Sequence, residues 1–103
     1  AACRGFPRGM VPRDLGQRVR SDVPVLFLTG AEDPADPPDN VANARRELPN
    51  ARVVVFPAAG HGQLHLDCGQ ALIDAFVARG SAAGLDASCA RTAAEQPFVT
   101  DLG

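Results

Sequence analysis

Two titratable side chains follow the two most apolar stretches of this sequence at matching distances. Asp33 lies five residues after the end of the first stretch, and His61 lies five residues after the end of the second. A carboxylate that accepts a hydrogen bond from an imidazole fixes its tautomer, and the other ring nitrogen can then act as a general base. Gly60 and Gly62 leave the backbone beside the histidine free to turn tightly. The pattern predicts an acid–base pair; the alternatives are an exposed loop histidine and a polar turn residue before a proline.

The two apolar stretches are predicted to be β-strands over residues 23–28 and 51–56. Both are short, almost continuous apolar runs rich in β-branched residues, which is typical of strands buried on both faces of a parallel sheet. Pro24 is acceptable near the start of the first strand, because the first residue of a strand need not donate to the ladder. Pro57 closes the second strand.

Helices are predicted after each strand. Asp36 is a good N-cap and Pro37 fits a first helical position. This first helix should stop at Leu48, because the proline that follows disfavours helix in the residue before it. A second helix is predicted over 67–79, with Leu72, Ile73, Phe76 and Val77 on one face and Gly80 at its end.

Strand, helix, strand and helix in this order form a βαβα unit. Its strands should be parallel, and the loops after them should leave from the same edge of the sheet, which would let Asp33 and His61 meet. Two parallel strands and two helices cannot cover both faces and both edges of a sheet. The predicted fold class is therefore α/β, with a βαβα unit over 23–80 that is incomplete as a domain. Residues 1–22 are predicted to be an irregular lead-in segment and residues 81–103 a tail.

The composition argues against several functional classes. The 103 residues are 46% hydrophobic and 21% charged, an ordinary globular balance. A formal net charge of -2 provides no electrostatic footprint for nucleic acid, so no nucleic-acid partner is expected. No run approaches the roughly 20 apolar residues that span a bilayer. His65 lies four residues after His61, but no third ligand accompanies the pair, so no metal and no cofactor is expected and His65 is predicted to be a surface residue.

Three cysteines, Cys3, Cys68 and Cys89, leave one thiol over if a single bridge forms. Cys68 and Cys89 flank the last helical segment and are the favoured pair. If Cys3 pairs with a segment that precedes this sequence, an oxidising compartment is implied. The alternative is three buried, reduced thiols in a cytosolic protein.

Several segments together resemble one known family. They are VPVLFLTGAEDP at 23–34, the paired prolines 37–38, LPNARVVV at 48–55, and Gly60-His61-Gly62. This combination is similar to the C-terminal part of the α/β-hydrolases, and more narrowly to the tripeptidyl aminopeptidase-like, proline iminopeptidase-related serine peptidases. The similarity extends from about Cys3 to Phe98.

The resemblance implies the C-terminal βαβα portion of an α/β-hydrolase parallel sheet. Asp33 would be the acid of a catalytic triad and His61 its base. Relatives commonly have Thr before the paired prolines, where this chain has Asp36, which makes Asp36 a rival for the role of the acid. The nucleophile of this fold stands in a G-x-S-x-G turn. The serines of this chain are Ser21, Ser81 and Ser88, and none of them stands in that pattern.

The resulting expectation is the C-terminal fragment of a serine hydrolase, inactive alone and most simply an exopeptidase. Its partners would be a small peptide or ester substrate and the upstream part of the same fold, which holds the nucleophile. Secretion or a cell-envelope location is expected from the cysteines and the resemblance, with the cytoplasm as the alternative. Other functional possibilities are a non-catalytic interaction module on a hydrolase scaffold and a relative with esterase, epoxide hydrolase or dehalogenase activity.

Overall fold

The fold is described by a computed structural model for residues 2–95, 97, 99–101 and 103, with side chains from Arg4 onward. Phe98 and the side chain of Cys3 therefore lie outside the described residues. The elements in chain order are β1 (Val25–Gly30), α1 (Pro38–Ala44), β2 (Ala51–Phe56) and α2 (Asp67–Arg79), with 3₁₀ turns at Ala2–Gly5, Arg45–Glu47 and Ser88–Arg91. The alternation of strand and helix follows the predicted order.

The two strands pair in parallel over their whole length, from Val25 opposite Ala51 to Gly30 opposite Phe56. The predicted parallel pairing is confirmed. Both strands therefore end at the same edge of the sheet, and the loops that follow them start side by side. We call this edge the carboxyl edge of the sheet.

β1 is displaced by two residues from its predicted position, whereas β2 has the predicted bounds. Pro24 has no N–H group to donate, so pairing starts with the Val25 N–H, which donates to the Asn50 carbonyl at 3.4 Å. At the other end, pairing continues through Thr29 and Gly30, which lie outside the predicted strand. α2 has the predicted bounds, and Gly80 ends it with a left-handed φ of 63°.

The predicted N-cap of α1 is wrong. The helix begins at Pro38, and Pro37 is its N-cap residue without a side-chain hydrogen bond. Asp36 lies one residue before this N-cap position, so its side chain does not cap the helix. The Asp36 carboxylate instead accepts a hydrogen bond from Asn40 Nδ2 at 3.3 Å. The helix gives way to a 3₁₀ turn after Ala44 and the chain leaves it at Leu48, as expected.

One face of the sheet carries the core. There β1 and β2 pack against α2 and the last 3₁₀ turn, around the fully buried Phe56. The buried members of this cluster are Val54, Phe56, Ala59, Leu72 and Ala90. Burying a side chain of this size is worth about 1.5–3 kcal/mol, so Phe56 is a major anchor of the carboxyl edge.

Among the described residues, the second face of the sheet is covered only in part. On the second face α1 packs against β1, while Val55 of β2 remains 40% exposed. On α2, Leu72 is buried but Val77 is 71% exposed. No helix among the described residues has the length and apolar character needed to cross a membrane.

The segment after α2 packs more closely than a tail would. Ala82, Leu85 and Ala90 are buried, and the Arg52 guanidinium donates hydrogen bonds to the carbonyls of Ala82 and Leu85. We call residues 82–95 the C-terminal strap. Its small side chains pack closely without a periodic pattern, which is why the sequence indicates no element here.

A disulfide joins the strap to α2. Cys68 in the first turn of α2 is bonded to Cys89, with their Cα atoms 5.8 Å apart. This is the cysteine pair that the sequence favours. Further along the strap, Ala94 forms a parallel bridge with Ala58, just beyond the end of β2. The strap is thus attached to the helix at one point and to the sheet at another.

Candidate catalytic acid and base

Asp33 is held by the loop that follows β1. Its Oδ1 accepts hydrogen bonds from the backbone N–H groups of Ala35 at 2.8 Å and Asp36 at 3.0 Å. Its own N–H donates to the Gly30 carbonyl at 3.3 Å, which closes a tight turn. The side chain is only 4% exposed. These contacts fix the carboxylate locally and leave Oδ2 for a partner outside the loop.

The same contacts keep Asp33 ionised. The hydrogen bond from the Asp36 N–H lowers the pKa of the Asp33 carboxyl, and those from Ala35 and His61 act in the same direction, although burial opposes them. The net pKa lies below the ordinary value of 3.8. A carboxylate with this pKa accepts hydrogen bonds and donates none at neutral pH.

His61 completes a pair with Asp33. Its Nδ1 lies 2.8 Å from Asp33 Oδ2. Because an ionised carboxylate can only accept, the proton of a neutral His61 ring must sit on Nδ1, and its Nε2 then carries the lone pair. The imidazole is 65% exposed, in contrast to its buried partner. Nδ1 is therefore bound to Asp33, and Nε2 is the ring nitrogen left to accept a proton.

Gly30 allows the two loops to approach this closely. A Cβ atom on Gly30 would lie 2.2 Å from the carbonyl oxygens of both Ala59 and Gly60. The Glu32 N–H donates to the Ala59 carbonyl at 3.1 Å, and the Ala31 N–H donates to the Phe56 carbonyl at 3.0 Å. The backbone that leads to Asp33 thus lies directly against the backbone that leads to His61.

Gln63 shapes the loop around His61. Its side chain is buried, and its Nε2 donates to the Gly60 carbonyl at 2.8 Å. Gly62 has a φ of 80°, a conformation that side-chain-bearing residues rarely adopt. A Cβ on Gly69, in the first turn of α2, would lie 2.0 Å from the Gln63 carbonyl oxygen. Gly30, Gln63 and Gly69 are not among the site residues predicted from the sequence, and only the glycines carry a signal that could indicate close backbone contact.

The rival acid does not reach the histidine. Asp36 contributes its backbone N–H to Asp33, while its carboxylate binds Asn40. Two of the serines lie toward the opposite edge of the sheet. The Ser21 N–H donates to the Glu47 carbonyl, and Ser81 lines a hollow with Pro24 and Asn50 beside the amino ends of the strands.

A hollow of about 380 Å³ adjoins the pair. Its lining combines both members of the pair with apolar and amide side chains from β1 and α1, including Phe27, Asn40, Val41 and Ala44. No group of three His, Cys, Asp or Glu side chains suited to a metal ion occurs within the described ranges. His65 is half-exposed and binds Glu95, with 2.7 Å between Nε2 and Oε2.

The described residues form a small two-stranded parallel sheet with helices, compatible with an α/β fold, that presents a carboxylate–imidazole pair at its carboxyl edge. The comparison with protein families narrows this class. The family described as TAP-like protein matches residues 1–89. The chain belongs to this family, and its resemblance to the C-terminal part of the tripeptidyl aminopeptidase-like α/β-hydrolases is confirmed. Neither a curated protein nor a solved structure matches the chain.

Proposed function

We propose that this chain is the C-terminal part of a serine hydrolase and supplies the acid, Asp33, and the base, His61, of its catalytic triad. The observation that supports the proposal most strongly is the 2.8 Å contact between His61 Nδ1 and Asp33 Oδ2. The second oxygen of Asp33 is occupied by two backbone N–H groups, so the carboxylate has one direction left for a partner. This arrangement is what a base needs when it must be held in one tautomer.

The proposed reaction is acyl transfer. His61 Nε2 takes the proton of a serine hydroxyl as the serine oxygen attacks the substrate carbonyl carbon, which gives a tetrahedral oxyanion. The imidazolium then returns the proton to the leaving amine as the carbon–nitrogen bond breaks. Water then attacks the acyl-enzyme carbonyl carbon as His61 Nε2 takes a proton from it. The imidazolium returns this proton to the serine oxygen as the carbon–oxygen bond breaks, which releases the carboxylic acid product and regenerates the serine. Asp33 stabilises the imidazolium in both halves by its negative charge.

The nucleophilic serine and the oxyanion hole belong, in this proposal, to an upstream part of the same fold that pairs with this chain. The chain alone would then be inactive. The family description and the resemblance favour a small peptide substrate, cleaved near its N-terminus, over an ester. The disulfide between Cys68 and Cys89 fits an oxidising location, so we propose that the enzyme is secreted or attached to the cell envelope.

The test uses the full-length protein and a chromogenic tripeptide amide with a free N-terminus. We expect Asp33→Asn to lower kcat by about 10⁴-fold, because Asn would donate to Nδ1 and stabilise the wrong tautomer. His61→Ala should lower kcat at least as much. Asp74→Ala, which removes an exposed carboxylate from the middle of α2, is the matched control.

Two further variants distinguish the alternatives. If Asp36→Asn lowers kcat as much as Asp33→Asn does, the acid has been assigned to the wrong carboxylate. A fluorophosphonate probe should label one serine of the full-length enzyme; an active enzyme without labelling would point to a relative with an aspartate nucleophile. Undiminished turnover in His61→Ala would overturn the proposal.

A further inference from the structure

Glu95 connects the C-terminal strap to the loop that carries His61. Its Oε1 accepts a hydrogen bond from the Gly60 N–H at 3.4 Å, and its Oε2 lies 2.7 Å from His65 Nε2. Gly60 and His65 stand on either side of His61 in the chain. The Glu95 carboxylate therefore contacts the loop both before and after His61, the proposed base.

The backbone of Glu95 is fixed independently of its side chain. The Glu95 N–H donates to the Ala58 carbonyl at 3.3 Å, and the preceding residue, Ala94, forms the parallel bridge to Ala58. Earlier in the strap, the Cys89 carbonyl accepts the Ala93 N–H at 3.0 Å, and the Cys89 side chain is bonded to Cys68. The position of Glu95 is thus fixed by the disulfide at Cys89, earlier in the strap, and by the backbone contact with Ala58 beside β2.

The charge of Glu95 suits this role. The hydrogen bond with His65 lowers the pKa of Glu95, and the Gly60 N–H acts in the same direction against the effect of partial burial. An ionised carboxylate can accept from both groups at once, one on each oxygen. The two acceptor positions match the two donors that the loop offers.

The placement of the His61 ring depends on contacts that other segments make with its loop. His61 stands between two glycines, and its imidazole is 65% exposed. Gly30 and Gln63 contact the Gly60 carbonyl and so restrain the backbone before His61. The Glu95 carboxylate adds hydrogen bonds with the Gly60 N–H and with His65.

We propose that Glu95 is a positioning residue for His61, acting through Gly60 and His65 to keep the imidazole on Asp33. This inference rests on the proposed function, in which His61 is the base. Glu95 touches neither the imidazole nor the reacting atoms, so its effect is on the fraction of time that the ring is correctly placed. The effect should therefore appear in kcat and leave KM unchanged.

The test compares Glu95→Ala and Glu95→Gln in the full-length enzyme, with kcat expressed per titrated active site. We expect Glu95→Ala to lower kcat by about tenfold at unchanged KM, because the ring is misplaced for much of the time. Glu95→Gln should restore most of kcat, since its amide oxygen can accept from Gly60 and its NH₂ group can donate to a neutral His65. Asp74→Ala, which removes an exposed carboxylate elsewhere on the surface, is the control and should match wild type.

A spectroscopic signature and a double variant separate positioning from simple stabilisation. In ¹⁵N-histidine-labelled enzyme, the low-field Nδ1–H resonance of His61 should broaden or shift upfield in Glu95→Ala and return in Glu95→Gln. In the Asp33→Asn background, Glu95→Ala should lower kcat no further, because the contact it supports is already lost.

The outcomes distinguish this inference from the proposed function. If His61→Ala abolishes turnover and Glu95→Ala leaves kcat per active site and the Nδ1–H resonance unchanged, the positioning role is refuted while the triad stands. A lower melting temperature with unchanged kcat would refute it as well. If His61→Ala turns over like wild type, both proposals fail together.

Discussion

Gly30→Ala tests the contact that brings the two loops of the site together. The added Cβ would lie 2.2 Å from the carbonyl oxygens of Ala59 and Gly60, whereas ordinary contact begins at 3.4 Å. Neither oxygen belongs to a flexible side chain that could swing away. The backbone at Ala59 and Gly60 must therefore retreat from β1 by about 1 Å, and it takes the adjacent His61 with it.

The displacement can be converted into an expected loss of activity. A misplacement of about 1 Å in a catalytic constellation costs about 10²-fold in rate, and the proposed base, His61, is the residue next to the displaced carbonyl. Forcing an extra carbon into a packed site also costs about 1–3 kcal/mol of stability. We therefore expect kcat/KM of the full-length enzyme to fall about 100-fold while most of the protein remains folded.

The assay is turnover of the tripeptide amide, normalised to folded protein from the near-ultraviolet circular dichroism signal. Gly16→Ala is the matched control, because a Cβ on Gly16 meets nothing within 4 Å. Gly69→Ala probes the same loop from α2, where the Cβ would press on the Gln63 carbonyl. If Gly30→Ala retains the kcat/KM of Gly16→Ala, the close approach does not govern the placement of His61 and the reasoning is refuted.

Two further predictions concern stability. Cys89→Ser removes a bond between residues 21 apart in sequence, and loop-closure entropy gives an expected loss of about 3 kcal/mol in the free energy of unfolding; urea denaturation checks it, and an unchanged midpoint would contradict it. Asp33 has a lowered pKa in the folded protein. Its contribution to stability is therefore present above the unfolded value of 3.8 and is lost as the pH falls below that value and through the folded pKa. The melting-temperature gap between wild type and Asp33→Asn should accordingly shrink on acidification; a constant or widening gap would mean that Asp33 is not stabilised as the anion.

Much of the arrangement could be predicted from the sequence, because the signals involved are local. β2 and α2 carry strong β-branched and helical patterns and have the predicted bounds. Parallel pairing follows from the order of the elements, and the contact of Asp33 with His61 follows from the parallel pairing. The displacement of β1 arises because an apolar run does not indicate where strand pairing stops. Gly30 is a residue type typical of turns, yet it continues the pairing of β1 with β2.

The remaining features depend on contacts between residues far apart in sequence. Arg52 donates hydrogen bonds to the carbonyls of the buried Ala82 and Leu85, and Ala90 packs in the cluster around Phe56 next to the disulfide-bonded Cys89. None of the three belongs to a periodic apolar face. Glu95 lies 35 residues from the Gly60 whose N–H it accepts. Composition and spacing do not indicate such a contact. The packing of an Ala-rich segment of this kind against the rest of the fold is therefore underestimated from sequence alone.

The two members of the pair differ in what positions them. Asp33 is held by N–H groups two and three residues away, so its placement depends on one turn after β1. His61 depends on contacts made by three separate segments, namely Gly30 of β1, Gln63 of its own loop and Glu95 of the strap. A perturbation of the strap should thus displace His61, the proposed base, and leave Asp33, the proposed acid, in place. Opening the Cys68–Cys89 bond with a reductant is such a perturbation: it should lower kcat through His61 while the Ala35 and Asp36 amides that bind Asp33 keep their chemical shifts.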